Sequence, residues 1–586
     1  MAELTQTPAI PRKPVPDSCR TMQRQSTRSF PTLHKSWSTN FPPLQDYERS
    51  LYKFPWLHRT NRVGLPTFAF TAGGFYDPLR HDEEAIPQTQ SQQDTVGLLQ
   101  ASNGDVPNQG YAGEKAESED PNLVTWDSTT DSENPRNWTR KRKWTATFLV
   151  SCFTFISPVS STMLAPALPV LAKELDTRSD IETYFLMSIF LLAYAIGPFV
   201  LAPLSEMHGR VIVLQSANMF FLVFNTIAGW STNKEMMLAM RFLSGLGGSA
   251  PQALGGGVLS DCWNPEERGS AHALYSLAPF LGPAVGPIAA GYLTQHLNWR
   301  WIFWTVSIAD AVVQILAFLF LPETYAPKIL LLKARRLRKE TGNQDLRTKW
   351  ERPDHTLGQV LRTNFVRPFR MLFTQPALQI TAFYRAYLYG LMYLVFASFP
   401  MVWSQQYNQE PGAASLNYIS LGVGFVIGLQ ISGPLIDKTY RHFQKKYNHT
   451  GLPEFRVPLM YPTAIIVPIG LIVYGAAAHL RSHWIVPNIG AAIFAAGLIL
   501  SFQCVQTYTI DTYETFAASA TGAAAFVRTM AGFSFPLFAP GLYNHLGILA
   551  GNGILAGVAF ILGIVVPWGM WRWGAWLRSR SSYCTG

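Results

Sequence analysis

Apolar residues in this chain do not alternate with polar ones at the spacing of a surface helix or strand. They gather instead in runs long enough to cross a bilayer. A hydrocarbon core about 30 Å thick takes roughly 20 residues of helix. Runs of that length lie near 144–171, 181–203, 211–230, 235–258, 272–295 and 301–322. A second set lies near 377–403, 416–437, 456–479, 484–508, 514–541 and 551–573. The fifth and eleventh are rich in Gly, Ala and Pro. The pattern predicts an all-α membrane protein with twelve transmembrane helices in two six-helix bundles, 144–322 and 377–573. Between them, 323–376 is basic, with apolar residues at helical spacing in 329–337, as in helices lying along a membrane surface. Residues 1–135, rich in Ser, Thr, Gln and Pro, read as a disordered cytosolic tail. The aromatic island at 51–75 reads as sticky coil, a docking segment or a membrane-surface contact. Residues 574–586 form a short C-terminal tail. Residues 1–20 hold no apolar core of a signal peptide, so the first span is expected to direct its own insertion.

Charge sets the orientation. Only 14% of residues are charged and 48% are hydrophobic, against about 25% charged in ordinary soluble proteins. That excludes a soluble enzyme, a disordered scaffold and a receptor with one span. With the N-terminus in the cytosol, roughly 27 lysines and arginines flank the spans inside and 5 outside, which places both termini in the cytosol of a multi-pass cell-membrane protein. The sequons at Asn137 and Asn448 then lie inside and carry no glycan. The net charge of +10 is explained by this cytosolic face, without nucleic acid. Five scattered cysteines suit neither a disulfide framework nor a zinc site. No metal, cofactor or enzyme motif is found, so uphill transport must draw on an ion gradient.

The second span ends in Pro203-Leu204-Ser205-Glu206-Met207-His208-Gly209-Arg210, and the eighth in Gly433-Pro434-Leu435-Ile436-Asp437-Lys438. Each half thus repeats Pro-Leu followed by a carboxylate, as expected of internally repeated transporters. An inner gate of Glu206, Gly209, Arg210 and Asp437 follows, with Asp511 and Glu514 placed to reach Arg210. In the fifth span, Gly282-Pro283 and Gly286-Pro287 combine close helix approach with lost backbone hydrogen bonds, the composition of a hinge helix. Asp310, midway along the sixth span, suits either a proton-carrying carboxyl or a structural hydrogen bond. Arg241 in the fourth span faces a partner or a wet cavity, or snorkels to the headgroups. Arg385, Tyr387, Tyr389 and Tyr393 on the seventh span, Gln503 and Gln506 on the tenth, and Arg528 on the eleventh read as a cavity for flat, amphipathic or cationic cargo. Lipid-facing tyrosines are the alternative.

These motifs carry a family resemblance. Residues 124 to about 580 resemble the major facilitator superfamily, in particular fungal drug:proton antiporters with twelve spans, of the polyamine-transporter-like and cycloheximide-resistance-like branch. The similarity lies in 131–138 with Lys143-Trp144, in 203–210, in Arg241 with Gly245, and in the paired Gly-Pro motif with Gly291. It continues in 298–303, 321–325 and 517–528. Val211 and Met207 stand where basic residues are usual. The resemblance implies that Arg241 takes part in proton coupling and that the Gly-Pro motif with Gly291 favours export over uptake. It implies a monomeric proton-coupled efflux transporter of a small amphipathic drug, toxin or fungal secondary metabolite, with protons and the lipid bilayer as partners. An uptake symporter and a non-transporting sensor are the alternatives.

Overall fold

A computed structural model describes residues 120, 122–264, 267–351, 357–448, 451–581 and 583–584. The tail before 120 with its aromatic island, and the end of the sequon at Asn448, lie outside the described residues. Among the described residues, ten helices are long and apolar enough to cross a membrane, and two of the expected spans hide behind that count. The fourth is broken at Ser249 into Lys234–Gly248 and Ala250–Cys262, with Pro251 in the first turn of the second piece, where its missing N–H costs no helical bond. The last helix, Ala517–Ser579, is two helices parted at Gly547, whose φ of 75° reverses the chain; only glycine takes that conformation without strain. Twelve crossings in two groups of six result. Helices overrun the apolar runs, as in Asp180–His208 and Pro376–Tyr407, because a hydropathy pattern reports only the part immersed in hydrocarbon. Phe318 and Leu319 on the sixth span stay 77% and 64% exposed, as lipid-facing side chains do.

An even number of crossings puts the start of the first span, at Arg140, and the end of the last, at Ser579, on one face, here the tail side; the other is the far side. On the tail side two linker helices, Ala326–Thr341 and Leu357–Thr374, join the halves. The stretch 122–135, expected as coil, is instead seated on the first of them. Val124 N–H donates to Arg347 O at 2.8 Å and Arg347 N–H to Asn122 O at 2.7 Å. Lys333 meets Asp127 at 2.7 Å and Asp131 at 3.5 Å, and Arg336 meets Glu133 at 3.2 Å. The backbone N–H of Glu133 helps hold the Asp131 carboxyl below the usual carboxylate range. Composition called this stretch coil because its partners lie 200 residues away. The second linker helix is wedged beneath both halves. Its Phe369 packs 5.0 Å from Phe199 of the second span and 5.1 Å from Phe526 of the eleventh.

The glycines of the fifth span, Arg268–His296, stand where it crosses the first span closely. A Cβ on Gly282 would lie 2.7 Å from the Phe155 carbonyl, and one on Gly286 2.8 Å from that of Val159. Both obstacles are backbone of the first span. Gly286→Leu is therefore expected to force the two helices apart and cost about 1–3 kcal/mol or more. Gly269→Leu, with nothing within 4 Å, should be silent. Yield and monodispersity on size-exclusion chromatography check this; equal behaviour of the two variants would refute it.

Candidate functional site

Two adjoining cavities lie between the halves. The deeper, about 20 Å³, is lined by Ser157, Ser161, Phe190, Tyr194, Gln252, Phe280, Tyr389, Tyr393 and Arg528 among others. The larger, about 120 Å³, runs toward the tail side past Phe199, Glu206, Asn364, Pro368, Ser519 and Phe526. Tyr194 and Gln252 border both, so they mark the junction of one passage.

Of the expected cavity residues, Tyr389, Tyr393 and Arg528 line the deep chamber. Tyr393 Oη lies 2.9 Å from Ser161 Oγ, a hydrogen bond across the two halves. The Arg528 guanidinium sits 5.0 Å from the Tyr389 ring centre. Arg385 is buried one step behind, 4.1 Å over Phe502. Gln503 and Gln506 are buried on the tenth span, Ile485–Thr512, but neither is among the lining residues. Tyr387 leaves the set: its Oη donates to Leu555 O of the twelfth span at 2.8 Å. At about 100° per residue, position 387 points away from a face that 385 and 389 share.

Arg241 is fully buried rather than snorkelling. Its Nη1 donates to Ser160 O at 2.9 Å and Nη2 to Met187 O at 3.2 Å, and the guanidinium lies 4.7 Å over Phe190. Ser160 Oγ in turn donates to Asn225, whose amide reaches Ser307 on the sixth span. Asp310 is also fully buried, with Asn218 Nδ2 donating to both carboxyl oxygens at 3.0 Å. It lies between the third and sixth spans and does not line the passage. The hydrogen-bonded alternative describes its geometry.

The tail-side ions pair differently from the expectation. Arg210 Nε binds Asp261 at the end of the fourth span, at 2.5 Å, and not Asp511 or Glu514. Asp511, at the end of the tenth, holds Arg456 at 2.7 Å, with Asp437 3.8 Å away. Glu514 is exposed at the start of a 3₁₀ turn. Each half thus closes its own acid–base cluster at the corresponding helix ends. Glu206 faces the larger cavity and is hydrogen-bonded by Asn364. Gly209, with φ 103°, lets Glu323 accept from the N–H groups of Arg210 and Val211 at 3.0 and 3.3 Å. That carboxylate caps the third span, where an anion is favoured. Asp261, Arg456 and the capping role of Glu323 were missed in the sequence. The twofold repeat that relates 206 to 437 was the signal that could have found the first two.

Gly291 belongs with the far side rather than the hinge. A Cβ there would lie 2.7 Å from Pro411 O and 2.6 Å from Ser415 Cβ, so the fifth span closes on the opposite half. Gly412 N–H donates to Gln295 Oε1 at 2.9 Å, and Asn544 to Asp180 at 3.2 Å. The passage is sealed on this side.

The family model of the Major Facilitator Superfamily matches residues 150–536. The "Efflux pump vrtL" of Penicillium aethiopicum is 47% identical over 467 residues, covering 80% of this chain and 92% of that protein. The "MFS-type transporter oryF" of Aspergillus oryzae is 39% identical, over 80% and 96% of the two chains. The solved proton:xylose symporter XylE of E. coli superposes with a TM-score of 0.55 at 14% identity, over 74% of this chain and 96% of its own, and shows a shared fold alone. A passage between two six-helix halves, a model match across most of the membrane domain and these relatives agree: the chain belongs to the major facilitator superfamily.

Proposed function

We propose that this protein exports a small amphipathic organic compound, a drug, toxin or fungal secondary metabolite, by alternating access in exchange for protons. The observation that carries the reading is the passage between the halves, sealed at Gly291 and Ser415 and leading to the tail side past Glu206. The count of basic residues assigns the tail side to the cytosol, so cargo is loaded from within. The name of the Penicillium relative, an efflux pump, supports the same direction. Rocking of the two bundles about the passage exposes it alternately.

Proton coupling is assigned to Arg241 and Asp310. Arg241 is held by two backbone carbonyls and the Ser160 hydroxyl, with no carboxylate among its hydrogen-bond partners in the described residues, and a chain of hydrogen bonds leads from that hydroxyl to Ser307, one turn from Asp310. The test is flux in sealed proteoliposomes under an imposed pH gradient. Wild-type protein should expel cargo against protons. Asp310→Asn should lose about tenfold or more of gradient-driven efflux while energy-independent exchange survives. Unchanged pH dependence in the variant removes Asp310 from the pathway, and cargo moving with protons instead of against them overturns export.

A further inference from the structure

The passage carries a recognition residue outside the three spans that the sequence singled out. We infer that Gln252, on the fourth span, binds the cargo and selects an uncharged planar ring with a donor and an acceptor on neighbouring atoms, as in a lactam. The Tyr194 hydroxyl is its second contact. This rests on reading the passage as the transport route.

Gln252 lies in the first turn of Ala250–Cys262. It borders both cavities, as Tyr194 of the second span does. The two residues are 5% and 4% exposed, yet neither side chain forms a hydrogen bond among the described residues. Buried amides and phenols ordinarily have a partner. The polar groups around them are engaged. Ser161 Oγ donates to Pro158 O at 2.7 Å and lies 2.9 Å from Tyr393 Oη, and Thr529 Oγ1 donates to Ala525 O at 2.8 Å. Glu206 is hydrogen-bonded by Asn364. The rest of the wall includes Ala195, Ala202, Ala253 and Gly522, whose side chains have nothing to bond. A glutamine amide offers an acceptor oxygen and two donor hydrogens in one plane. Its complement is therefore a flat edge with a donor beside an acceptor, the pairing that glutamine makes with an adenine edge in DNA.

Size and charge narrow the occupant further. The larger cavity, about 120 Å³, approaches the ~150 Å³ of an engineered cavity that holds benzene. It takes one six-membered ring beside Gln252, and the remainder of the molecule extends along Phe199 and Phe526 toward the tail side. Neither sign of charge suits the whole route. Glu206 borders the wide end and Arg528 the deep end, so an ion attracted at one is repelled at the other. An uncharged ring avoids that conflict, and its bonds to Gln252 replace those it gives up to water.

The experiment uses the purified full-length protein in lipid nanodiscs and two isomeric lactams, 4-methyl-2-quinolinone and 1-methyl-2-quinolinone. Each is titrated calorimetrically, with empty nanodiscs as the blank. Both isomers keep the carbonyl acceptor and nearly the same apolar area, but methylation at nitrogen removes the donor. The 4-methyl isomer should bind roughly tenfold tighter, as the loss of one member of a bidentate pair implies. Gln252→Met, of similar length and without the amide, should bring the two affinities within about twofold of each other. Tyr194→Phe should weaken both isomers alike and preserve their ratio, because both carry the carbonyl that its hydroxyl meets. A purely structural role for Gln252 would likewise leave the ratio unmoved. Equal affinities on the wild type, or a tenfold preference that persists in Gln252→Met, overturns the proposal. Should that variant fail to fold, Gln252→Leu makes the same comparison, and the order of the isomers on the wild type still decides. Proton-driven flux of the two isomers separates this from the export reading. A preference that depends on Gln252, without flux, leaves the site standing and sinks export. Flux of both isomers with no difference in binding sinks the site and leaves export.

Discussion

Replacing Arg210 by alanine is expected to destabilise the first bundle by about 3–5 kcal/mol, the usual cost of removing one partner from a buried ion pair. Arg210 is 5% exposed and its partner Asp261 is held against it at 2.5 Å. Alanine leaves that carboxylate without its cation and also removes the guanidinium that covers Tyr325 at 4.9 Å. Were Arg210 the bolt of a gate against Asp511, as its sequence position suggested, the same substitution would mainly shift the balance of inward and outward states. Because its partner lies in the same half, the expected result is loss of thermal stability in detergent. Arg210→Lys should recover part of it, since the charge remains but not the planar fork. In Arg210→Ala/Asp261→Asn the orphaned charge is gone, so the loss should be much smaller than the sum of the two single losses. Arg456→Ala should behave likewise in the second half, where Asp511 and Asp437 depend on it. A melting curve for Arg210→Ala that superimposes on wild type, together with altered thiol accessibility of the passage, would restore the gate.

That reassignment shows which kinds of statement the sequence could carry. Crossings were legible because lipid leaves the backbone no alternative to a helix of roughly 20 apolar residues, and a guanidinium such as Arg385 or Arg528 stands out against such a run. Pairing was not legible, because it depends on distance. Arg210 could be matched with any tail-side acid until helix packing placed Asp261 beside it. Asp261 itself drew no attention, since an acid just beyond an apolar run is ordinary at a membrane surface. Tyr387 was grouped with 385, 389 and 393 by composition, although the helical repeat turns it toward the twelfth span. Position could be read for Gly291 but not role: five residues beyond Gly286, it looked like part of one hinge and is a contact between halves.

Gly291→Phe is the strongest test of alternating access in this chain, and it should abolish transport without unfolding either bundle. With the far side closed, the first atom of any side chain at 291 already overlaps Ser415 and lies 2.7 Å from the carbonyl oxygen of Pro411. A phenyl ring has no place there, whereas separation of the halves on the far side would free it. The substitution therefore penalises one state of the cycle and spares the other. About 5.5 kcal/mol of such bias carries a two-state equilibrium from 1:99 to 99:1; overpacking typically costs about 1–3 kcal/mol and occasionally more, so a phenyl ring driven into backbone biases the equilibrium strongly toward the state open on the far side. The expected product is a folded protein held open on the far side. Proton-driven flux should drop to background. A cysteine placed at Ser161, in the deep chamber, should react with a membrane-impermeant thiol reagent added from the far side about tenfold faster than in the parent. The graded variant Gly291→Ala should show a smaller defect, relieved by Ser415→Gly, because much of its overlap is with that side chain. If Gly291→Phe transports normally, or leaves Ser161→Cys as protected as before, then the contact at 291 and 415 is not the seal, and a passage opened alternately at its two ends loses its structural basis.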